Sequence, residues 1–267
     1  NFYELLAGLY KGLYRPEVPM IAVAHQYLLA HPDFEFPRHR WLDKQLVQLN
    51  TRITAWGASQ KMALSFRPMP HQPSLRIVVV PPLLRQEVLR LEAQLDDFIL
   101  IYLTHHSLRA SVVAWHSQHP ETRLHCFGHF PDQPDEVTQQ GSLTFHQLSA
   151  PKFLSMMQHC RALVTTAGFE SVCEAMYLSK PTLMIPVPNH FEQACNAHDG
   201  MLSGAGATSS EFDLSALDTF LPYYQSPKKE FSAWVKQAEV LFLQEILACG
   251  SRSARVQVPH RPATRYA

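Results

Sequence analysis

Glycine is scarce. The chain has 10 in 267 residues, about 4 % where roughly 7 % is usual. Neither G-x-G-x-x-G nor G-x-x-x-x-G-K-[ST] occurs, which excludes the common dinucleotide and P-loop cradles for phosphate. Charge imbalance is missing too: 23 Lys and Arg meet 23 Asp and Glu. No global field therefore favours nucleic acid or an anionic membrane. The 5 cysteines are odd in number and form no C-x-x-C pair. That argues against a disulfide framework and for a reducing, cytosolic setting. The longest apolar run, 98–103, is six residues, far short of the ~20 of a membrane span. The chain opens at Asn1 with neither Met nor signal peptide, and we read it as the trimmed remainder of a longer protein.

What is present is a core. Apolar residues make up 46 % and charged residues 17 %, the balance of a folded globular chain. Short apolar runs without alternation at 20–24, 77–80, 98–103, 162–166 and 183–187 predict buried parallel strands. Segments 123–127 and 143–147 are weaker candidates. Helical spacing marks 2–14, 40–53, 84–95 and a long amphipathic stretch at 231–247. A helix over 153–160 follows Ser149-Ala150-Pro151, a cap and an N-terminal Pro. Strand–helix alternation predicts an α/β doubly wound sheet. The Pro-rich stretch 67–74 (RPMPHQPS) predicts the linker, since Pro enforces extended backbone. The expected domains are 1–73, 74–249 and a flexible basic tail 250–267, with four Arg and no acid after Gly250.

The informative stretch is 162–206. A strand ends in Ala167-Gly168, and a helix then begins with Glu170 and Ser171. Strand–Gly–helix presents backbone N–H groups where the helix dipole favours an anion. The dipole contributes only ~0.3–1 kcal/mol, whereas hydrogen bonds to a charged group contribute ~1.5–3 kcal/mol each. Direct bonds would dominate. Glu174, one turn on, is placed for a ribose diol, whose two hydroxyls both donate to one carboxylate. The same segment also reads as a plain βαβ unit, with Glu170 explained by the dipole alone.

Gly168-Phe169-Glu170-Ser171, then Glu174-Ala175, Lys180-Pro181, Ile185-Pro186, Glu192-Gln193 and Asn196-Ala197 resemble the donor-binding motif of GT-B nucleotide-sugar glycosyltransferases. The UDP-glycosyltransferases and the peptidoglycan-type N-acetylglucosaminyltransferases look most similar. Val79-Val80-Pro81-Pro82 with Leu84-Arg85 resembles the segment that opens the C-terminal domain of that family, and 19–26 a late strand and loop of its N-terminal domain. The resemblance implies two Rossmann-like doubly wound parallel sheets, the N-terminal one incomplete here.

It also implies roles. Gly168, Ser171 and the backbone around Phe169 would hold a diphosphate. Thr166 would donate a hydroxyl to it, and Arg85 would reach it from the domain junction. Glu174 would bind ribose, Glu192 and Gln193 the transferred sugar, and Asn196 would support the helix start beside them. His105, His106 and Ser107, after the strand at 98–103, are candidate phosphate donors at a carboxyl edge. His25 is the candidate proton acceptor, the family's usual base lying upstream of this chain. Ala167 and Glu170 depart from the pattern, which has a frequent Gly and a smaller polar residue at these places.

The function implied is metal-independent transfer of a hexose or N-acetylhexosamine from a UDP-sugar to an acceptor hydroxyl. No D-x-D occurs, and no cofactor is expected beyond that donor substrate. His116-x-x-His119 and His125-x-x-x-His129 have ligand-like spacing, but no Cys or carboxylate completes a set in sequence. The acceptor stays open among lipid, glycan and small molecule. No nucleic acid partner is expected, and the location is cytoplasmic, with peripheral contact at the inner membrane face left open. A UDP-sugar 2-epimerase and a non-catalytic nucleotide-sugar-binding protein are the alternatives on the same architecture.

Overall fold

The computed structural model describes residues 1–14, 18–38, 40–103, 108–130, 136–139 and 141–256. The strands are β1 Ile21–Ala24, β2 Gln60–Leu64, β3 Ile77–Val80, β4 Ile99–Tyr102, β5 Leu124–Gly128, β6 Glu136–Gln139, β7 Leu143–Gln147, β8 Ala162–Thr165, β9 Thr182–Met184 and β10 Gly206–Thr208. The first five helices are α1 Leu5–Tyr14, α2 Trp41–Thr54, α3 Gln86–Leu89, α4 Arg109–Gln118 and α5 Ala150–His159. The others are α6 Phe169–Tyr177, α7 Phe191–Leu202, α8 Ser215–Phe220, α9 Lys228–Val235 and α10 Ala238–Val256.

Two compact units emerge. One contains Asn1–Phe34, Gln45–Val80 and the chain from Gln237 onward; the other contains Glu35–Lys44 and Pro81–Lys236. The first holds a parallel sheet in the order β1-β2-β3, in register at Ile21↔Gln60 and Lys61↔Ile77. Val23, Met62, Val78 and Val80 form its core, with Leu241 and Phe242 of α10 packed against them. Helix α1 approaches α2 through Gly8, where a Cβ would sit 2.3 Å from the Ile53 carbonyl oxygen. Only glycine fits there.

The second unit holds a seven-stranded sheet in the order β10-β9-β8-β4-β5-β7-β6, parallel except for β6 against β7. Ile99 and Ile101 of β4 join Leu124, Cys126, Ala162 and Val164 on one face. Leu100 joins Phe127, Leu163, Phe153 and Met157 on the other. Burial on both faces is why these strands read as unbroken apolar runs. Strand order grows from β4 outward through β5 and β7, then reverses through β8, β9 and β10. The reversal between β4 and β8 is a topological switch point, and in open α/β sheets the crevice lies at the carboxyl ends of the strands there.

Several expectations change. The Pro-rich stretch 67–74 does not join the two units: it lies between β2 and β3, and Gln72 exchanges backbone hydrogen bonds with Ile77 at 2.8 and 3.0 Å. Pro stiffens a return loop, and the crossing falls at Val80/Pro81 instead of 73/74. Strand β3 therefore closes the first sheet and does not open the second. The helix expected at 84–95 shortens to α3, because Gln94 and Asp96 give their N–H groups to the carbonyls of Gln158 and His159 at the end of α5. Leu95, 76 % exposed, has no core to hold a further turn. The helix expected at 231–247 is two, α9 and α10, divided where the chain crosses from one unit to the other. Of the tail expected at 250–267, residues 250–256 continue α10, and 257–267 lie outside the described residues. Strands β2, β6 and β10 were not expected.

Candidate functional site at the β8–α6 turn

At the switch point β8 gives way to Thr166, Ala167 and Gly168. Ala167 has φ 63°, a left-handed conformation that costs an L-residue roughly 1–2 kcal/mol. Three bonds hold it. Asn196 of α7 donates from Nδ2 to the Ala167 carbonyl at 3.1 Å. Ser171 donates from Oγ to the Gly168 carbonyl at 3.0 Å, and Val172 N–H bonds the same oxygen at 3.2 Å. Gly168 occupies the N-cap of α6 at φ −66° and provides no side-chain cap. The first N–H groups of a helix have no intrahelical partner, so this end faces the crevice with donors.

The carboxylate of Glu174 lies deeper on the same helix, its side chain 5 % exposed. It is already engaged. Arg85 donates from Nε to Oε1 and from Nη2 to Oε2, both at 2.6 Å. The bond to Glu174 raises the Arg85 pKa above its ordinary value, so the guanidinium stays charged. Glu174 and Arg85, expected on ribose and phosphate respectively, are thus each other's partners in this structure.

The N-terminus of α7 reaches the same region. His190 caps α7, its Nδ1 accepting from Gln193 N–H at 3.3 Å, while Gln193 Oε1 accepts from Val187 N–H at 2.8 Å. That leaves the amide NH2 as the half it can offer. Glu192 is half-buried in the first turn.

Nothing in the sequence pointed to what lies against Phe191. The ring of Phe36 stacks on it at 6.3 Å and 6°, Arg40 sits over it at 5.0 Å, and Lys44 caps Phe36 at 4.4 Å. These residues are far away in the chain, and no periodicity links them.

Other candidates fall elsewhere. Thr166 is buried, 1 % exposed, and is not presented at the surface as a donor hydroxyl would be. His105, His106 and Ser107 lie outside the described residues. His25 belongs to the other unit, buried at the end of β1, with Nδ1 2.8 Å from the Leu64 carbonyl. A carbonyl only accepts, so Nδ1 carries a proton in that bond.

The ligand-like histidine spacings are spent on local bonds. His116 Nε2 meets Ser142 Oγ at 2.7 Å, His119 Nδ1 meets the Trp115 carbonyl at 2.9 Å, and His125 Nδ1 meets His146 Nε2 at 2.9 Å. No three metal-binding side chains gather among the described residues. Burial pushes the Cys160 and Cys195 thiols up to about 12, which disqualifies them as nucleophiles. No described helix is long and apolar enough to cross a membrane.

Comparison with known proteins bears on the fold and the family. No curated protein matches. Among solved structures, the glycotransferase of kitacinnamycin superposes with a TM-score of 0.55 at 14 % identity, over 90 % of this chain and 74 % of that one. CalG4, the calicheamicin glycosyltransferase, gives 0.51 at 13 % identity over 93 % and 70 %. Phytolacca americana UGT2, complexed with UDP-2-fluoro-glucose and pterostilbene, gives 0.51 at 12 % identity over 88 % and 69 %. The shared architecture is GT-B. A family model, glycosyl transferase family 1, matches residues 3–224. By fold and by sequence, then, the chain belongs to glycosyl transferase family 1 and is a GT-B glycosyltransferase.

Proposed function

We propose that the protein transfers a hexose or N-acetylhexosamine from a UDP-sugar to an acceptor hydroxyl, without a metal. One observation carries this reading. The α6 N-terminus, Glu174 and the α7 N-terminus converge at the β4/β8 switch point, tied together by the Asn196–Ala167 bond. Gly168 supports it further. Its φ of −66° suits any residue, and among the described residues a Cβ there would meet only Ser171 Oγ, at 3.4 Å. Neither the backbone nor the packing of the described residues calls for glycine, so the lack of a side chain leaves space on the crevice side, where a phosphate would approach backbone N–H groups.

In the reaction the bond between the anomeric carbon and the β-phosphate oxygen breaks, its electrons passing to the diphosphate. The acceptor oxygen forms the new bond and loses its proton to a base. The α6 N–H groups stabilise the charge that grows on the diphosphate. Glu174 takes the ribose hydroxyls, and Glu192 with the Gln193 NH2 takes hydroxyls of the sugar.

Amide hydrogen exchange with and without UDP tests the site. Protection is expected at 168–172 and 191–196. Protection elsewhere, or none at millimolar UDP, refutes it. Incubation with UDP-N-acetylglucosamine and no acceptor tests the reaction class: an epimer at the sugar C2 would hand the site to a 2-epimerase.

A further inference from the structure

The Arg85–Glu174 pair poses a problem for any ligand that needs Glu174. A guanidinium fork donating to both carboxylate oxygens lies along the edge that joins them. A ribose cis-diol, donating two hydroxyl protons to one carboxylate, needs that same edge. Arg85 takes both oxygens at 2.6 Å, so the two arrangements exclude each other.

The pair is also asymmetric. Glu174 is fixed within α6 with its side chain 5 % exposed, whereas that of Arg85 is 40 % exposed. Arg85 stands at the N-cap of the four-residue α3, with no side-chain capping bond of its own. Of the two, the arginine is the one free to swing.

We propose that Arg85 determines specificity by exchange: it covers Glu174 until a ligand brings both a cis-diol and an anion. The diol then takes the carboxylate edge while the displaced guanidinium takes the diphosphate. A nucleoside offers the diol alone and must break a charge-assisted pair with nothing for Arg85 in return. A nucleoside diphosphate offers both. The site thereby rejects nucleosides without any steric filter, and the released diphosphate is held by a residue that re-covers Glu174 once it leaves. This inference rests on the nucleotide-sugar reading of the site.

The test is calorimetry of uridine and UDP against the wild-type chain, Arg85→Met and Arg85→Lys, with thermal melts to confirm folding. In Arg85→Met, uridine should bind about 3- to 10-fold more tightly and UDP at least about 10-fold more weakly, so the preference for UDP collapses. Arg85→Lys keeps the charge without the fork. It should retain most UDP affinity yet admit uridine better than wild type, and it decides the matter alone if the Met variant does not fold. Uridine binding unchanged or weaker in both variants overturns the exchange and makes Arg85 a mere prop for Glu174. Wild-type protein that binds no UDP overturns the nucleotide reading itself, and the exchange with it.

Discussion

Asn196 donates a side-chain N–H to the carbonyl oxygen of Ala167 at 3.1 Å, bridging 29 residues of sequence. The bond joins the first turns of α7 to the strained corner that precedes α6. Asn196 is 5 % exposed, so the carbonyl it satisfies has little access to water in its place. Replacement by Ala should cost about 1–3 kcal/mol of stability. Asn196→Asp should cost more, because a carboxylate would face the carbonyl oxygen. Urea denaturation of the two variants measures both, and the order Ala milder than Asp is the diagnostic result.

Ala167 itself invites substitution, since its φ is 63°. Glycine would relieve roughly 1–2 kcal/mol of left-handed strain. It would also lose about 0.8 kcal/mol of buried methyl and free the unfolded chain by about 0.4–1 kcal/mol. These nearly cancel, so Ala167→Gly should fall within about 1 kcal/mol of wild type. A β-branched side chain gains nothing to offset the strain, and Ala167→Val should lose more than about 2 kcal/mol. Thermal melts separate the two.

Two glycines of the second unit should respond differently to Ala. At Gly206 a Cβ would lie 1.8 Å from the Thr182 carbonyl oxygen, a neighbour in the sheet register that cannot move without opening β9–β10. A loss of about 3 kcal/mol or more is expected. At Gly200 the nearest atom is Met184 Sδ at 2.9 Å, part of a side chain that re-packs readily. Helix propensity there favours Ala by about 1 kcal/mol, so the net change should stay within about 1 kcal/mol. Denaturant midpoints check both.

Lys180 gives a pH signature. Its ammonium is buried and donates to the carbonyls of Gln94 and Cys160, the latter at 2.9 Å. Burial lowers its pKa below the ordinary 10.5. A neutral amine still has two N–H donors for two carbonyls. Just below pH 10.5 the unfolded chain therefore holds a proton that the folded chain has given up, and stability rises with pH through that window. Lys180→Met should lose about 1–3 kcal/mol and abolish this increment. Urea titrations at pH 8 and pH 10 read it as a difference of slopes between the two proteins.

Much of the second unit was legible because its strands are buried on both faces. Ile99–Tyr102 and the first three residues of Ala162–Thr165 are continuous apolar runs, and such runs carry their own signal. The turn into α6 was legible from Gly168 and the acidic residue at Glu170. Strand β2 (QKMAL) was not: its polar Gln60 and Lys61 break the run, and pairing on both sides by β1 and β3 holds it in the sheet. Helical spacing misled at 84–95, where tertiary bonds to α5 claimed the backbone. Nor could sequence pair Glu174 with Arg85, because an ion pair 89 residues apart leaves no periodic trace. Phe36 and Arg40 against Phe191 are invisible for the same reason.

The path of the chain has a practical outcome. It passes from one unit to the other at 34/35, 44/45, 80/81 and 236/237, so neither unit is a single uninterrupted stretch. Proteolytic nicking at one crossing would not release either half. A polypeptide beginning at Pro81 would carry α10 with Leu241 and Phe242 stripped of Val78 and Val80, and would lack Phe36 and Arg40 beside Phe191. Studies of donor capture in isolation would need the whole chain, or a permuted gene in which 35–44 is stitched back onto the segment it accompanies.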